Sequence, residues 1–247
     1  MQISDDLFLG PVIGPNPDFA SAGNPAPMSQ GIGPMGRVFV WDTVPLTLQA
    51  AGLAASQNPG SGASFVLTAG TGVVARTRAD GTIEYVLDVP RCVTIAAAGV
   101  NTATYKVTGY DAFGRLMTQD LAAPSTSTVA TTKAFKTITS ITNLNATAGA
   151  SGLTAGFNDK LGIPVRVVDV GYIQSVKWAG VLAQDAGTVV AADTTSPATA
   201  ATTDVRGCYT PSSAANGARR LVIAISVPAI GCGPQATRIG ALGVDQA

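Results

Sequence analysis

The sequence predicts an all-β fold: an antiparallel β-sandwich or jelly-roll-like domain, preceded by an extended arm rich in proline and glycine. Runs of Thr, Val, Ile and aromatic residues recur about every ten residues, and Gly, Asp, Asn and Pro separate them as turn signals. The sequence has no apolar stripe of helical spacing longer than about three turns. We therefore expect under about a tenth of the residues to be helical.

The clearest strand is predicted at residues 103–110, which read ATYKVTGY. Thr, Tyr and Val suit a pleated, half-buried surface. Successive side chains of a strand point to opposite faces, so Tyr105, Val107 and Gly109 fall on one face. We expect the rest of the sheet to pack against this strand and its hairpin partner.

A turn is predicted directly after this strand, at residues 111–114, which read DAFG. Aspartate can accept a hydrogen bond from the backbone two residues on, and glycine adopts a positive φ without strain. Residues 115–121 then return as the second arm of a hairpin. A loop rich in Ser, Thr and Pro follows, and residues 134–142 predict a third strand.

The remaining segments divide into strand-like runs and turn-like stretches. The strand-like runs are residues 37–41 with an extension at 44–48, then 64–68, 73–77, 83–89, 92–97, 163–170, 172–179, a weaker pair within 181–192, a short run at 205–210, and 219–227. The Ala-rich residues 50–55 predict a short helical turn. A loop or irregular edge is predicted at residues 143–156, a turn at 157–162 and a low-complexity loop at 193–204.

Residues 1–45 predict an extended arm, because they contain seven prolines and six glycines. Proline lacks a backbone N–H and restricts the residue before it, so this composition supports neither a helix nor a central strand. The arm also carries many apolar side chains for a solvated linker: Leu7, Phe8, Leu9, Val12, Ile13, Phe19 and Met28. We expect it to lie on a surface, with residues 46–247 forming the β-sandwich domain; a division of that domain near residues 145–160 is left open.

The composition excludes several functions. Charged residues make up 12% of the chain, and the net charge is zero with no basic cluster, which argues against binding nucleic acid. The chain has no histidine, the commonest general base and metal ligand. Such a low charge is explained by extensive contact with partners, and we expect a homotrimer, with a dimer as the alternative. The acidic start and the lack of a long apolar run predict no secretory signal, no membrane span and synthesis in a cytoplasm.

No motif predicts a catalytic, metal or cofactor site. The Gly-rich residues 31–33 and 70–72 lack the strand–turn–helix context of a phosphate loop. The acidic pairs Asp5–Asp6 and Asp80–Glu84 are not placed across a sugar cleft by anything in the sequence. A turn-forming role for Asp111 is favoured over a calcium site, which needs several oxygen ligands. We therefore expect no enzyme activity, metal or organic cofactor.

Two further residue classes are expected to be structural. Cys92, Cys208 and Cys232 form no CxxC pair and are odd in number, so buried reduced thiols are predicted. Five aromatic residues could line a sugar-binding face, but aromatics spaced along strands more often lie in a core or an interface: Trp41, Tyr105, Tyr110, Tyr172 and Trp178.

Four parts of residues 87–168 stand out together: a strand after the Pro-Arg pair at residues 90–91, a T-G-x-D-x-x-G hairpin at 108–114, the strand KAFKTITSI at 133–141, and the segment KLGIP at 160–164. Through these parts, residues 87–168 resemble a domain of structural proteins of tailed bacteriophages. Such proteins are virion components, and some resemble decoration or cement proteins of the outer capsid. The resemblance carries no catalytic motif.

The resemblance implies a capsid decoration protein that binds the outer surface of the phage head and staples neighbouring major capsid subunits. Its partners would be the major capsid protein and copies of itself, and it would be located on the virion after assembly in the host bacterial cytoplasm. The seven apolar arm residues are then the expected capsid or neighbour contacts. The alternative is a tail- or fibre-associated adhesin that binds a host surface glycan.

Overall fold

The computed structural model describes residues 37–122, 124–145, 152–193 and 204–227. Its strands are β1 Arg37–Thr43, β2 Gln49–Gln57, β3 Val73–Thr77, β4 Ile83–Ala97, β5 Tyr105–Tyr110, β6 Leu116–Leu121, β7 Thr128–Asn143, β8 Leu153–Gly162, β9 Ile173–Trp178, β10 Thr188–Val190, β11 Cys208–Thr210 and β12 Leu221–Val227. A 3-10 turn, Val170–Tyr172, is the one helix in these ranges. The predicted all-β, antiparallel sandwich is therefore confirmed.

The strands form two antiparallel sheets. The small sheet has the order β1-β12-β9, and the large sheet has the order β10-β11-β8-β4-β7-β5-β6. The long strands β4 and β7 pair along most of their length. The other edge of β4 is shared by β3 and β8, and the outer edge of β8 is shared by β2 and β11. This sharing of edges joins nine strands into one sheet.

The predicted central hairpin is confirmed. Strands β5 and β6 pair in register from Tyr105 with Leu121 to Tyr110 with Leu116. Asp111 accepts hydrogen bonds from the backbone N–H groups of Phe113 and Arg115, and Gly114 has a φ of 77°. The third strand is also confirmed, but as the longer β7, which pairs with β5.

The sequence predicts two strands here, at residues 83–89 and 92–97. This prediction is wrong, because both runs belong to the single strand β4. β4 runs through Pro90 at the point where its edge partner changes from β3 to β8, and its pairing with β7 is interrupted between Val86 and Arg91. The missing N–H of proline costs no ladder hydrogen bond at such a bulge. Lys136 of β7 donates hydrogen bonds to the carbonyls of Leu87 and Asp88 there. Burial lowers the pKa of this lysine despite the nearby carboxylate of Asp88.

The predicted helical turn at residues 50–55 is wrong, because these residues belong to strand β2. The edge of β8 overrides the helical propensity of alanine by offering backbone partners. Gly156 makes the approach of the two strands close: a Cβ there would lie 1.9 Å from the carbonyl oxygen of Gln49. The turn predicted at residues 157–162 and the last four residues of the loop predicted at 143–156 are wrong, because residues 153–162 form β8. Residues 144, 145 and 152 lie outside strands, as predicted.

Four predicted strand segments lack a strand ladder or are shorter than expected. Residues 64–68 make one isolated bridge, Ser64 with Thr142, although Phe65 is buried. Residues 163–170 are irregular, because Pro164 interrupts them and their backbone bonds a loop: Val167 N–H donates to the carbonyl of Arg206. Residues 44–48 do not extend β1, and only residues 188–190 are strand within 181–192.

The interior consists of two main apolar clusters. The larger lies within the large sheet, and its fully buried members include Leu53, Leu87, Tyr105, Met117, Phe135 and Phe157. The second joins the small sheet to the β8–β11 end of the large sheet through Leu161, Trp178, Tyr209, Leu221, Ile223 and Ile225. β1 is the last part of the predicted arm and belongs to the small sheet. Residues 1–36 and 228–247 lie outside the described residues, and the domain boundaries stay predictions.

Candidate functional site

The sequence-predicted contact residues of the arm lie outside the described residues. This holds for Leu7, Phe8, Leu9, Val12, Ile13, Phe19 and Met28, for the Asp5–Asp6 pair and for the Gly-rich residues 31–33. Their role as capsid or neighbour contacts stays a prediction. The site must therefore be sought among the polar and aromatic groups of the two sheets.

Asp111 is a turn former that also carries a buried ion pair. Its Oδ1 accepts the two backbone hydrogen bonds of the turn, and its Oδ2 lies 2.6 Å from Nη1 of Arg206. Both side chains are buried, and the guanidinium lies over the ring of Phe113. Through these contacts Asp111 links the β5–β6 turn to the loop before β11.

The acidic pair Asp80–Glu84 does not form a cleft. Asp80 accepts a hydrogen bond from the N–H of Thr82 in the turn between β3 and β4. Glu84 is buried and forms ion pairs with Arg76 and Arg78, the latter also lying over the ring of Tyr110. The two carboxylates therefore have separate structural partners.

The five candidate aromatic residues do not form one exposed face. Tyr105 is buried in the larger cluster, where its hydroxyl accepts a hydrogen bond from Asn101. Trp178 is buried in the second cluster, where Trp41 and Tyr172 are half-buried. The predicted core role is thus confirmed for Tyr105 and Trp178.

A cleft of about 240 Å³ lies beside Trp178, between the loop after β9 and the loop before β12. It is lined by Trp178, Val181, Gln184, Asp185, Ser213 and Arg219, among others. Asp185 is its acidic group, and the indole Nε1 of Trp178 donates a 2.9 Å hydrogen bond to the hydroxyl of Ser213. The cleft therefore combines one aromatic edge with a few polar groups.

The carboxylate of Asp185 is already occupied by hydrogen bonds from the protein. It accepts them from the hydroxyls of Tyr209 and Ser212 and from the backbone N–H groups of Ser212 and Gly187. Burial raises the pKa of Asp185, but the bonds from Ser212 and Tyr209 outweigh it, and the pKa lies below its usual value. Burial and the same carboxylate raise the pKa of Tyr209. Asp185 thus joins the loops around the cleft: its Oδ2 accepts three hydrogen bonds from the protein and its Oδ1 accepts one.

Replacing Asp185 with asparagine is expected to lower the free energy of unfolding at neutral pH. The variant should also lose less of this free energy than the unmodified protein as the pH falls. A carboxylate whose folded pKa is lowered stabilises the protein above its unfolded pKa, near 3.8, and this contribution is lost as the pH falls through the folded pKa. Urea unfolding midpoints measured between pH 7 and about pH 2.5 test this. Midpoint curves that remain parallel for the two proteins over this range would contradict it.

A buried polar group with several partners, Arg91, was missed by sequence reasoning. Arg91 is fully buried and forms ion pairs with Asp88 and Asp159. Its guanidinium also donates to the carbonyl of Leu46 at 2.6 Å and lies over the ring of Phe157. Its place after a proline within an apolar run was the one available signal, because its partners come from distant parts of the chain.

Neither a cluster of metal ligands nor a helix that could cross a membrane is found in the described part of the chain. There, no group of three or more cysteine, aspartate or glutamate side chains is placed to hold a metal ion. The 3-10 turn is far shorter than a helix that crosses a membrane, and no described helix meets that requirement.

Comparisons of the chain with protein-family models, with curated proteins and with solved structures found no match.

Proposed function

We propose that the protein is a virion structural protein of a tailed bacteriophage: a capsid decoration protein that links neighbouring major capsid subunits. It would bind the outer surface of the head as a homotrimer, with a dimer as the alternative. Support comes from the resemblance of residues 87–168 to phage structural proteins and from the low content of charged residues. It also comes from the structural role of four buried or half-buried charged side chains. Asp111, Glu84, Arg91 and Asp185 all hold elements of the scaffold together.

One observation carries the proposal: the backbone of residues 44–48 is held by hydrogen bonds, but three of the five side chains are apolar and exposed. The N–H of Leu46 donates to Asp88 at 2.7 Å, its carbonyl accepts from Arg91, and the carbonyl of Pro45 accepts from the N–H of Gly217. Yet Val44, Leu46 and Leu48 are 43%, 37% and 40% exposed. We name these five residues the apolar ledge.

An ordered apolar ledge suits a surface that is buried by a partner. Its backbone is already held by hydrogen bonds, so binding would cost little additional ordering entropy. Each fully buried aliphatic side chain contributes about 1.5–3 kcal/mol. β1 is the last strand-forming part of the predicted arm, and it leads directly into the ledge. The arm and the ledge could therefore contact the same capsid subunit or the same neighbouring copy.

The number of copies in each particle tests the proposal. Densitometry of a gel of purified virions, calibrated on the major capsid protein, should give hundreds of copies for a decoration protein. A few copies, or about a dozen, would overturn the proposal and favour the tail- or fibre-associated adhesin.

A capsid-binding assay tests the apolar ledge and the arm. We expect the double variant Val44→Ser/Leu48→Ser to bind capsids at least about tenfold more weakly, because a lost burial of about 1.4 kcal/mol is a factor of ten. Deletion of residues 1–30 should also weaken attachment while the β domain stays folded. Both effects are measured by co-sedimentation with capsids that lack the protein.

The matched control is Val100→Ser, since Val100 is 71% exposed but lies outside the ledge. Thermal melting of each variant separates loss of binding from loss of fold. Unchanged capsid binding of the double variant would show that the ledge is not part of the interface. If truncation unfolds the domain, the arm belongs to the domain's own core.

A further inference from the structure

Two of the three cysteines lie side by side in the structure, although 92 and 208 are far apart in the sequence. Both side chains are fully buried. The thiols of Cys92 and Cys208 donate to the same acceptor, the carbonyl oxygen of Thr132, at 3.7 and 3.9 Å. The two thiols also interact with each other, and with Ala134 they form a small cluster separate from the two large ones.

Gly162 explains how cysteines on two non-adjacent strands meet. Cys208 of β11 pairs with Gly162 of β8, and Cys92 of β4 pairs with Ala134 of β7, so β8 lies between the cysteines. The sheet is strongly curled here: a Cβ on Gly162 would lie only 2.4 Å from the Cβ of Ala134. Because glycine has no side chain, it leaves open the space beside Ala134, which is the third member of the cysteine cluster.

We propose that Cys92 and Cys208 are a redox pair that forms a disulfide between β4 and β11. The oxidant is a small-molecule disulfide such as oxidised glutathione. One cysteine sulfur attacks it to give a mixed disulfide and one glutathione thiol; the second cysteine then displaces the other glutathione. Two cysteine S–H bonds and one S–S bond break, one S–S bond forms, and both protons and both electrons end on two glutathione thiols.

The folded, reduced pair should be inert towards reagents in solution. The interaction with Cys208 and burial raise the pKa of Cys92, and a protonated thiol is a poor nucleophile. Exchange therefore needs a local opening or takes place during folding. β11 suits such an opening, because its ladder with β8 has two residue pairs and its ladder with β10 has three.

The disulfide would cross-link a central strand of the large sheet to a short strand near its edge. A cross-link between distant positions removes conformational entropy from the unfolded chain, and for a loop of roughly 100 residues the effect corresponds to a rise in melting temperature of about 10 °C. This property does not depend on the proposed role in a virion.

Oxidative refolding of the Cys232→Ser variant tests the pair, since Cys232 lies outside the described residues. The variant is refolded in a mixture of reduced and oxidised glutathione, and separately in excess reductant. Peptide mapping should find Cys92 linked to Cys208 in the first sample, and that sample should melt about 10 °C higher than the second. Two free thiols after oxidative refolding, or a cross-linked protein that melts no higher than the reduced one, would overturn the proposal.

Three further measurements test whether the disulfide is specific to Cys92 and Cys208. In the variants Cys92→Ala and Cys208→Ala, the glutathione mixture should leave the melting temperature unchanged. In the full chain, Cys232 should remain outside the linked peptide; a mixture of pairings would contradict a preformed pair. The reduced Cys232→Ser protein should show no thiol reactive with Ellman's reagent when folded and two when unfolded.

Discussion

Replacing Arg91 with methionine is expected to lower the free energy of unfolding by about 3–5 kcal/mol, the usual cost of removing one partner from a buried ion pair. Arg91 has no exposed surface, and its Nη2 and Nη1 lie 2.7 Å from Asp88 and 2.9 Å from Asp159. Methionine fills much of the volume but leaves two nearly buried carboxylates without their cation. It also leaves the carbonyl of Leu46 without its donor.

The loss should extend beyond β4, because the partners of Arg91 hold several elements together. Asp159 of β8 also accepts a hydrogen bond from the N–H of Ala215, before β12, and Asp88 accepts one from the N–H of Leu46, after β1. Removal of the guanidinium would loosen the junction between the two sheets. Guanidinium unfolding followed by circular dichroism measures the effect.

Arg220→Met is the matched control. Arg220 forms a bidentate ion pair with Asp42 and so links the start of β12 to β1, but both side chains are largely exposed. Water and salt screen such a pair, so the unfolding midpoint should stay close to that of the unmodified protein. Equal effects of Arg91→Met and Arg220→Met would show that burial does not determine the contribution of these arginines.

The second large effect is expected from Gly109→Ala, which should destabilise the protein by about 3 kcal/mol or more, at the upper end of the cost of overpacking. A Cβ on Gly109 would lie 2.0 Å from the carbonyl oxygen of Thr137 and 3.0 Å from the ring of Phe135. The obstacle is the backbone of β7, which cannot rotate away as a side chain could. The β5–β7 pairing also shifts register between Thr108 and Gly109, so the strands approach closely there.

Gly60→Ala is the control for Gly109→Ala. The same methyl group at Gly60 would meet no atom within 4 Å. Thermal melting of both variants separates the steric cost from the general effect of replacing glycine. If both variants melt at the same temperature, β7 must be able to move away from β5 at little cost.

The sequence predicted those strands whose side chains alternate and whose turns have a local cause. The β5–β6 hairpin is an example, since Asp111 and Gly114 determine its turn within a few residues. β2 and β8 were missed because they are rich in Ala and Gly and carry weak strand signals. Their pairing depends on the close approach of two backbones at Gly156, which is a tertiary property.

The polar contacts were less predictable than the strands. Asp111 was recognised as a turn former, but its ion pair with Arg206 joins residues that are distant in sequence. The same is true of Arg91 with Asp159 and of Asp185 with Ser212. A single sequence shows the charged residue but not its partner, because folding brings the two together only after the strands are ordered.

The pairing of β1 with β12 has a consequence for synthesis on the ribosome. Thr43 pairs with Leu221 and Arg37 pairs with Val227, so β1 is translated long before its neighbour exists. The hairpins β3–β4 and β5–β6 can form as they emerge, and β4 can pair with β7 and β8 well before β12 exists. The small sheet, in contrast, must wait for the last described strand. Non-local pairing of this kind slows folding. During that wait the apolar face of β1 is open to chaperones and to other nascent chains, so the small sheet should complete only after translation has passed β12.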